Sequence, residues 1–151
     1  AFKIYSQDWG LTGEFYNGRN FELLIATGNA KTINFNDYKE MNPQIPAENF
    51  SARWQGALIV PNDGKYTFSI LVDDGGRLFI DDLPVVEDWS VHPPTEYSKD
   101  ISLSKGDHKI RIEYNNVMQG AVLKLYWTRE GGHKQIIPAA YLRQKNDVIK
   151  P

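Results

Sequence analysis

The chain is 151 residues long, with 41% hydrophobic residues, 24% charged residues and a formal net charge of −2. This length and composition are typical of one globular domain, and the small negative charge argues against a nucleic-acid-binding protein. The absence of cysteine rules out thiol catalysis, cysteine-ligated zinc and disulfides, and no apolar run reaches the roughly 18 residues of a membrane-spanning helix.

The first third of the chain gives irregular signals. Residues 11–16 predict a strand, and residues 21–25 fit either a strand or a short helical turn. Residues 26–49 are mostly polar and contain two X–Pro pairs. This composition predicts a long ordered loop with one short strand near residues 32–35.

From residue 50 onward, apolar and polar residues alternate with a period of two, which indicates half-buried strands. The clearest strands are predicted over residues 65–72, 77–81, 107–114 and 121–127. The side chains predicted to face the core are Tyr66, Phe68, Ile70, Ile110, Ile112, Tyr114, Ala121, Leu123, Leu125 and Trp127.

Turn segments rich in Asp, Gly and Asn separate these strands at intervals of roughly ten residues, and a weak element at residues 139–143 closes the pattern. Such spacing predicts an all-β fold, an antiparallel β-sandwich or barrel with long loops. We expect a single β domain over residues 1–144 and a linker or tail over residues 145–151.

Two adjacent carboxylates, Asp73 and Asp74, precede two glycines between two predicted strands. One interpretation is a hairpin turn, because Asp and Gly supply the hydrogen bonds and the positive φ that turns need. The other is a site for a hard cation, because carboxylate oxygens are ligands that Ca²⁺ prefers. The spacing is not that of an EF-hand, since Gly75 stands where that loop needs an oxygen ligand.

Two further polar segments are candidates for the same chemistry. Asp81 and Asp82, followed by Glu87 and Asp88, favour a solvated turn over a second calcium site. The loop at residues 115–120 joins the last two clear strands. It is either a hairpin loop or a source of amide and carbonyl oxygens for a metal ion.

No catalytic constellation is visible in the sequence. The three histidines are scattered, and there is no zinc-protease helix motif, nucleophile elbow or phosphate loop. Glycosidases need two carboxyl groups about 5–9.5 Å apart on either side of the scissile bond. The adjacent residues Asp73 and Asp74 are better suited to bind one ion together, so we predict that the chain is not an enzyme.

The segment Asp73-Asp-Gly-Gly-Arg-Leu-Phe-Ile-Asp-Asp82 is one of several that occur in a fixed order. The others are residues 10–16, 50–56, 61–68, 85–89, 101–114 and 121–127. Together, over residues 11–142, they resemble the fourteen-kilodalton domain family first defined in anthrax protective antigen. The resemblance implies an antiparallel β-sandwich or barrel and an exported, non-catalytic module. Relatives accompany glycoside hydrolases or occur in microbial adhesins and bacterial surface proteins, and several bind carbohydrate.

In sugar-binding members of that family, a cis peptide bond joins two aspartates that both bind calcium, and these positions match Asp73 and Asp74. The same members supply an asparagine after an Ile-x-Ile strand, which corresponds to Asn116, and nearby carbonyl groups, for which Met118 and Gly120 are the candidates. The chain lacks the cysteines of the yeast adhesin members, which favours a bacterial extracellular setting.

We therefore predict a lectin-like, calcium-dependent carbohydrate-binding module. Vicinal sugar hydroxyls are expected to complete the coordination of Ca²⁺, which accepts 6–8 oxygens. Asn115 and Gln119 are expected to hydrogen-bond the sugar, while Trp89 either stacks on it or packs in the core. The predicted ligand-binding residues are Asp73, Asp74, Asn115, Asn116, Gln119 and Trp89.

The resemblance also implies the setting of this module. We expect a monomeric module of a larger bacterial protein, extracellular or at the cell surface: a biomass sensor, an adhesin or a glycosidase accessory module. Analogy with glycosidase-linked relatives favours a plant cell-wall polysaccharide as the ligand. The alternative is a structural or protein-interaction module in which calcium staples two loops and no sugar binds.

Overall fold

A computed structural model describes residues 5–118 and 120–146. Strands dominate this part of the chain, as the alternating pattern predicts. The strands are β1 (Tyr5–Trp9), β2 (Leu11–Asn17), β3 (Leu23–Ala30), β4 (Asn34–Phe35), β5 (Phe50–Val60), β6 (Gly64–Asp73), β7 (Gly75–Ile80), β8 (Leu83–Asp88), β9 (Thr95–Leu103), β10 (Gly106–Asn116), β11 (Val122–Arg129), β12 (Gln135–Ile136) and β13 (Leu142–Lys145). A one-turn helix α1 (Tyr38–Met41) and a 3₁₀ turn (Ala139–Tyr141) complete the described elements. Among the described residues, neither of these two elements nor any other helix could span a membrane.

The strands form two antiparallel sheets, which confirms the all-β antiparallel fold. The eight-stranded sheet has the order β1-β13-β5-β10-β7-β8, with β2 also beside β5 and β3 beside β2. The five-stranded sheet has the order β12-β11-β6-β9, with β4 also beside β11. The longest pairing joins β5 to β10 over eleven registered residue pairs in the eight-stranded sheet.

The core consists of apolar side chains from both sheets. Trp54 on β5 and Trp127 on β11 are completely buried. Phe35 stacks on Trp54 at a centroid distance of 5.5 Å, and Tyr66 stacks on Trp127 at 5.4 Å. All ten side chains predicted to face the core are buried, because the period-two pattern correctly identifies the inner face of each strand.

The irregular first third is more ordered than its composition predicts. Strand β3 continues to Ala30, where a loop was expected, and α1 lies inside the expected loop. Gly28 and Asn29 have low strand propensity, but β3 pairs with β2 on both sides of them, and this pairing outweighs the local preference. The expected short strand near residues 32–35 is present as β4.

Two of the connections by which the chain passes from one sheet to the other lie at one end of the molecule and carry the predicted site residues. Strand β6 ends at Asp73 in the five-stranded sheet, and β7 begins at Gly75 in the eight-stranded sheet. Strand β10 ends at Asn116 in the eight-stranded sheet, and β11 begins at Val122 opposite Asp73. Neither connection is a hairpin, so that interpretation was wrong for both loops. The two crossings lie at the same end because β6 pairs with β11 and β7 with β10.

Candidate metal and ligand site

The two crossings bring the predicted aspartates and the loop after β10 together. The Val117 N–H donates to Asp74 Oδ2 at 2.9 Å. A Cβ placed on Gly120, whose φ is +37°, would lie 3.2 Å from Asp73 Oδ2, so the Gly120 backbone runs beside that carboxylate. The Tyr114 hydroxyl donates to the Asp73 carbonyl oxygen, and the peptide bond between Asp73 and Asp74 is cis.

The two carboxylates lie close together, Asp74 buried and Asp73 half-buried. Asp74 is only 4% exposed. Burial, a hydrogen bond to Asp74 and the charge of Asp74 raise the pKa of Asp73 to about 6, against a smaller opposing effect of His92. Within the described residues, no lysine or arginine forms an ion pair with either aspartate. Two adjacent like charges, one of them buried, favour a bound cation.

Asn116 contributes an unused acceptor at the end of β10. The side chain is completely buried, and its Nδ2 donates to the Ala47 carbonyl oxygen at 3.1 Å. Its Oδ1 is buried and accepts no hydrogen bond from any residue that the structure describes. An unsatisfied buried acceptor costs about 1–3 kcal/mol, which a coordinated ion would offset.

This donor set fits a hard cation. It consists of two carboxylates and an amide oxygen, with backbone oxygens nearby, and oxygen-only ligands suit Ca²⁺. Between residues 5 and 146, leaving aside residue 119, no group of three or more His, Cys, Asp or Glu side chains could hold a metal ion. A cation bound here would therefore need amide and carbonyl oxygens as well as carboxylates. The Met118 side chain is 60% exposed, and metal binding by the Met118 and Gly120 carbonyls remains a prediction.

Asn115 is hydrogen-bonded to protein at both ends of its amide. Its Oδ1 accepts from Arg19 Nε and Nη2, both at 3.4 Å, and its Nδ2 donates to the Trp89 carbonyl oxygen at 3.3 Å. The predicted contact of Asn115 with a ligand would have to replace one of these bonds. Gln119, the other residue predicted to hydrogen-bond a sugar, lies outside the described residues.

Trp89 lies on the outer surface of the eight-stranded sheet and is not part of the buried core. Its Nε1 donates to Asn20 Oδ1 at 2.8 Å. The Arg77 guanidinium carbon lies 3.7 Å from the ring centroid of Trp89, which is a close cation–π contact. Of the two interpretations of Trp89, core packing is therefore not the arrangement found.

Asp81 and Asp82 form the tight turn between β7 and β8, both with positive φ. Asp81 Oδ2 lies 2.7 Å from His108 Nδ1, and Asp82 Oδ1 lies 2.9 Å from Lys109 Nζ. Burial alone would lower the pKa of His108, but hydrogen bonds to Asp81 and the Ser104 carbonyl outweigh it and raise the pKa. Both carboxylates thus form ion pairs with basic side chains, whereas Asp73 and Asp74 form none with the residues that the structure describes.

The second part of this acidic cluster is also engaged with protein. Glu87 is exposed. Asp88 accepts hydrogen bonds from the Ser90 N–H at 3.0 Å, from the Ser90 hydroxyl at 2.5 Å and from the Tyr97 hydroxyl. The bonds from Ser90 and then Tyr97 hold the pKa of Asp88 down at about 2. These contacts order the segment after β8 beside the candidate site.

Several residues of the site were missed by sequence reasoning. Arg19 and Ala47 contact Asn115 and Asn116 from 96 and 69 residues away in the chain. Val117 contacts Asp74 across 43 residues. No local pattern marks such pairs, because they are brought together by the pairing of strands that are distant in the chain.

The comparisons with known proteins agree on one family. The model of the PA14 domain matches residues 7–141. Anti-sigma-I factor RsgI3 of Acetivibrio thermocellus is 33% identical over 136 residues, and the match covers 88% of this chain and 21% of that protein. The protective antigen of Bacillus anthracis is 29% identical over 145 residues, covering 91% of this chain and 18% of that protein. The chain thus spans about a fifth of the length of the curated relatives it matches.

Solved structures share the fold. An anti-sigma factor domain-containing protein is similar with a TM-score of 0.87 and 29% identity, over 97% of this chain and 51% of that one. The PA14 sugar-binding domain from an RTX adhesin is similar with a TM-score of 0.75 and 18% identity, over 91% of this chain and 99% of that one. At 18% identity the second likeness concerns the fold alone.

Proposed function

The chain belongs to the PA14 domain family, and from this premise we propose that it is a non-catalytic, lectin-like module that binds carbohydrate through a calcium ion. The observation that carries the proposal is the buried Oδ1 of Asn116, which no described residue uses. It lies at the same end of the sandwich as two carboxylates that pair with no described lysine or arginine. A site built from oxygens and left without positive charge is suited to a divalent hard cation.

Asp73, Asp74 and Asn116 would hold the ion with their side chains, and Met118 and Gly120 with their carbonyl oxygens. Calcium would supply further coordination positions, of its usual 6–8, to vicinal sugar hydroxyls. The protein would contribute this set of ligands, of which Asp74 and Asn116 are buried and Met118 is exposed. Two sheet crossings hold this set, and the hydrogen bond from Val117 to Asp74 connects them.

The relatives suggest the biological setting. RsgI3 is an anti-sigma factor, so a sensing role in a larger protein is proposed first, with adhesion or support of a glycosidase as the other settings. Adhesin and protective-antigen neighbours support an extracellular or cell-surface location. The proposed ligand class is an extracellular polysaccharide, with plant cell-wall polysaccharides favoured.

A second candidate function is a structural or protein-interaction module in which calcium only staples the two loops. The bond between the Val117 N–H and Asp74 favours it, because that bond already ties one crossing to the other. Both functions require calcium, and only the first requires a sugar.

The test is a glycan and polysaccharide array probed in calcium and again in EDTA. We expect binding in calcium, loss of binding in EDTA and loss in Asp74→Asn and Asn116→Ala. Asp100→Asn is the control, because that exposed carboxylate on β9 bonds to Thr67 instead. Calcium heat in calorimetry without any glycan signal would favour the staple. Absence of calcium heat would refute both candidate functions.

A further inference from the structure

Two aromatic rings lie next to each other on the outer face of the eight-stranded sheet. The ring centroids of Phe21 and Trp89 are 5.7 Å apart, with an angle of 32° between the ring planes. Each ring rests on an arginine. The guanidinium carbon of Arg53 lies 4.0 Å from the centroid of Phe21, and that of Arg77 lies 3.7 Å from the centroid of Trp89.

One buried carboxylate holds the two arginines side by side. Glu113 on β10 is 6% exposed and lies in register between Arg53 on β5 and Arg77 on β7. Its Oε2 is 2.8 Å from Arg53 Nε, and its Oε1 is 3.1 Å from Arg77 Nε. Because both rings cover this layer of charges, their opposite faces turn away from the sheet. Phe21 and Trp89 thus form an aromatic platform over an Arg–Glu–Arg layer.

The platform is held in place by the backbone of the loop at residues 18–22. Phe21 has a φ of 59°, which is rare for a bulky side chain. Its N–H donates to Ser51 Oγ at 2.9 Å, and the Ser51 hydroxyl donates to the Gly18 carbonyl oxygen at 2.7 Å. The bond from Trp89 Nε1 to Asn20 joins the second ring to the same loop. The position of Phe21 is therefore set by long-range contacts rather than by local preference.

The platform borders the candidate calcium site. The carbonyl oxygen of Trp89 accepts from Asn115, the residue before the candidate ligand Asn116. A Cβ on Gly75, immediately after the two aspartates, would lie 2.9 Å from the Trp89 Cα. A glycan of several units with one unit at the metal would extend over the neighbouring surface.

We propose that Phe21 and Trp89 form a second carbohydrate subsite, which binds the apolar face of a neutral pyranose unit in a polysaccharide chain. Aromatic faces bind the C–H face of a sugar, and the partly exposed Arg53 and Arg77 provide N–H donors for hydroxyls at the rim. This subsite rests on the proposed function for its ligand class, but its contacts do not require the metal ion.

The test uses affinity electrophoresis in gels containing galactomannan, xyloglucan or mixed-linkage β-glucan, with calcium or with EDTA. Phe21→Ala and Trp89→Ala are each expected to weaken retardation at least tenfold while leaving the calcium affinity unchanged. Phe79→Ala is the matched control. Its ring lies on the same sheet face over the Arg111 guanidinium, at 4.2 Å, but outside the platform. This control is expected to stay within twofold of the wild type.

The outcomes separate the two proposals. If calcium-dependent retardation survives Phe21→Ala and Trp89→Ala, the platform is refuted and the proposed function stands. If retardation is unchanged by EDTA but disappears in both variants, the platform is correct and the calcium mechanism is wrong. If none of the three polysaccharides retards the wild type, the platform is refuted.

If Trp89→Ala does not fold, a separate measurement with Trp89→Phe tests the platform. Oligosaccharides that retard the wild type should quench its tryptophan fluorescence, and Trp89→Phe should abolish that quenching. Equal quenching in Trp89→Phe would refute the platform.

Discussion

Replacing Asp73 with asparagine is expected to change stability in opposite directions with and without calcium. In EDTA at about pH 7.5, the wild type has two adjacent carboxylates without a described cationic partner. Asparagine keeps the shape of the side chain and removes one charge, so the calcium-free variant is expected to be more stable. In calcium the variant lacks one proposed ligand, so it is expected to be less stable than the wild type.

The size of the stabilisation expected in EDTA follows from the pKa of Asp73, which rises from 3.8 to about 6 in the folded protein. This rise corresponds to about 3 kcal/mol at 1.36 kcal/mol per pKa unit, and solvent screening of the partly exposed carboxylate reduces it to about 1–2 kcal/mol. Because the pKa of Asp73 is higher in the folded than in the unfolded protein, protonation of Asp73 stabilises the fold. This effect is complete below pH 3.8 and is lost as the pH rises through about 6. Calcium at a hundredfold excess over Kd would add about 2.7 kcal/mol to the wild type.

The assay is thermal unfolding of wild type and Asp73→Asn in EDTA and in calcium. Each kcal/mol corresponds to about 2–4 °C for a chain of this size. The variant should melt about 2–8 °C higher than wild type in EDTA and lower than wild type in calcium. Asp100→Asn serves as control and should shift equally in both buffers. If Asp73→Asn is destabilising in EDTA, or calcium leaves the wild-type Tm unchanged, this reasoning is incorrect.

Three further substitutions test the fold and the support of the site. Gly75→Ala should cost about 1–3 kcal/mol in urea unfolding, because its Cβ would lie 2.2 Å from Asn115 Nδ2; unchanged stability would contradict this close approach. Trp127→Ala should cost about 3–5 kcal/mol with or without calcium, since the indole is completely buried; a loss below about 1 kcal/mol would contradict its place in the core. His108→Gln should lower Tm most below about pH 6.5, and the difference should shrink as the pH rises through the raised folded pKa, because the protonated ring bonds to Asp81. Melts from about pH 5 to 9 measure this trend, and a pH-independent difference would exclude it.

Some features of this protein follow from local sequence. The period-two pattern around Phe68, Ile112 and Leu125 predicts which side chains enter the core, because alternation is a property of each strand by itself. The segment that begins at Asp73, together with its order among the other motifs, led to the family, and Asp73 and Asp74 do lie beside the loop that follows β10. Residue type and order along the chain are sufficient for such inferences.

Other features were decided only by the tertiary structure. The connection at Asp73 and Asp74 has the composition of a hairpin turn, yet it crosses between sheets, because β6 pairs with β11 rather than with β7. The sequence suggested Asn116 through its polar loop and through the family resemblance, but only the packing that buries it decides that its Oδ1 has no described partner. Phe21 and Trp89 are 68 positions apart in the sequence, and a row of side chains contributed by three strands places their rings together. Strand pairing and sheet packing join segments distant in the chain, so the local pattern identifies the candidate ligands but not the surface on which they meet.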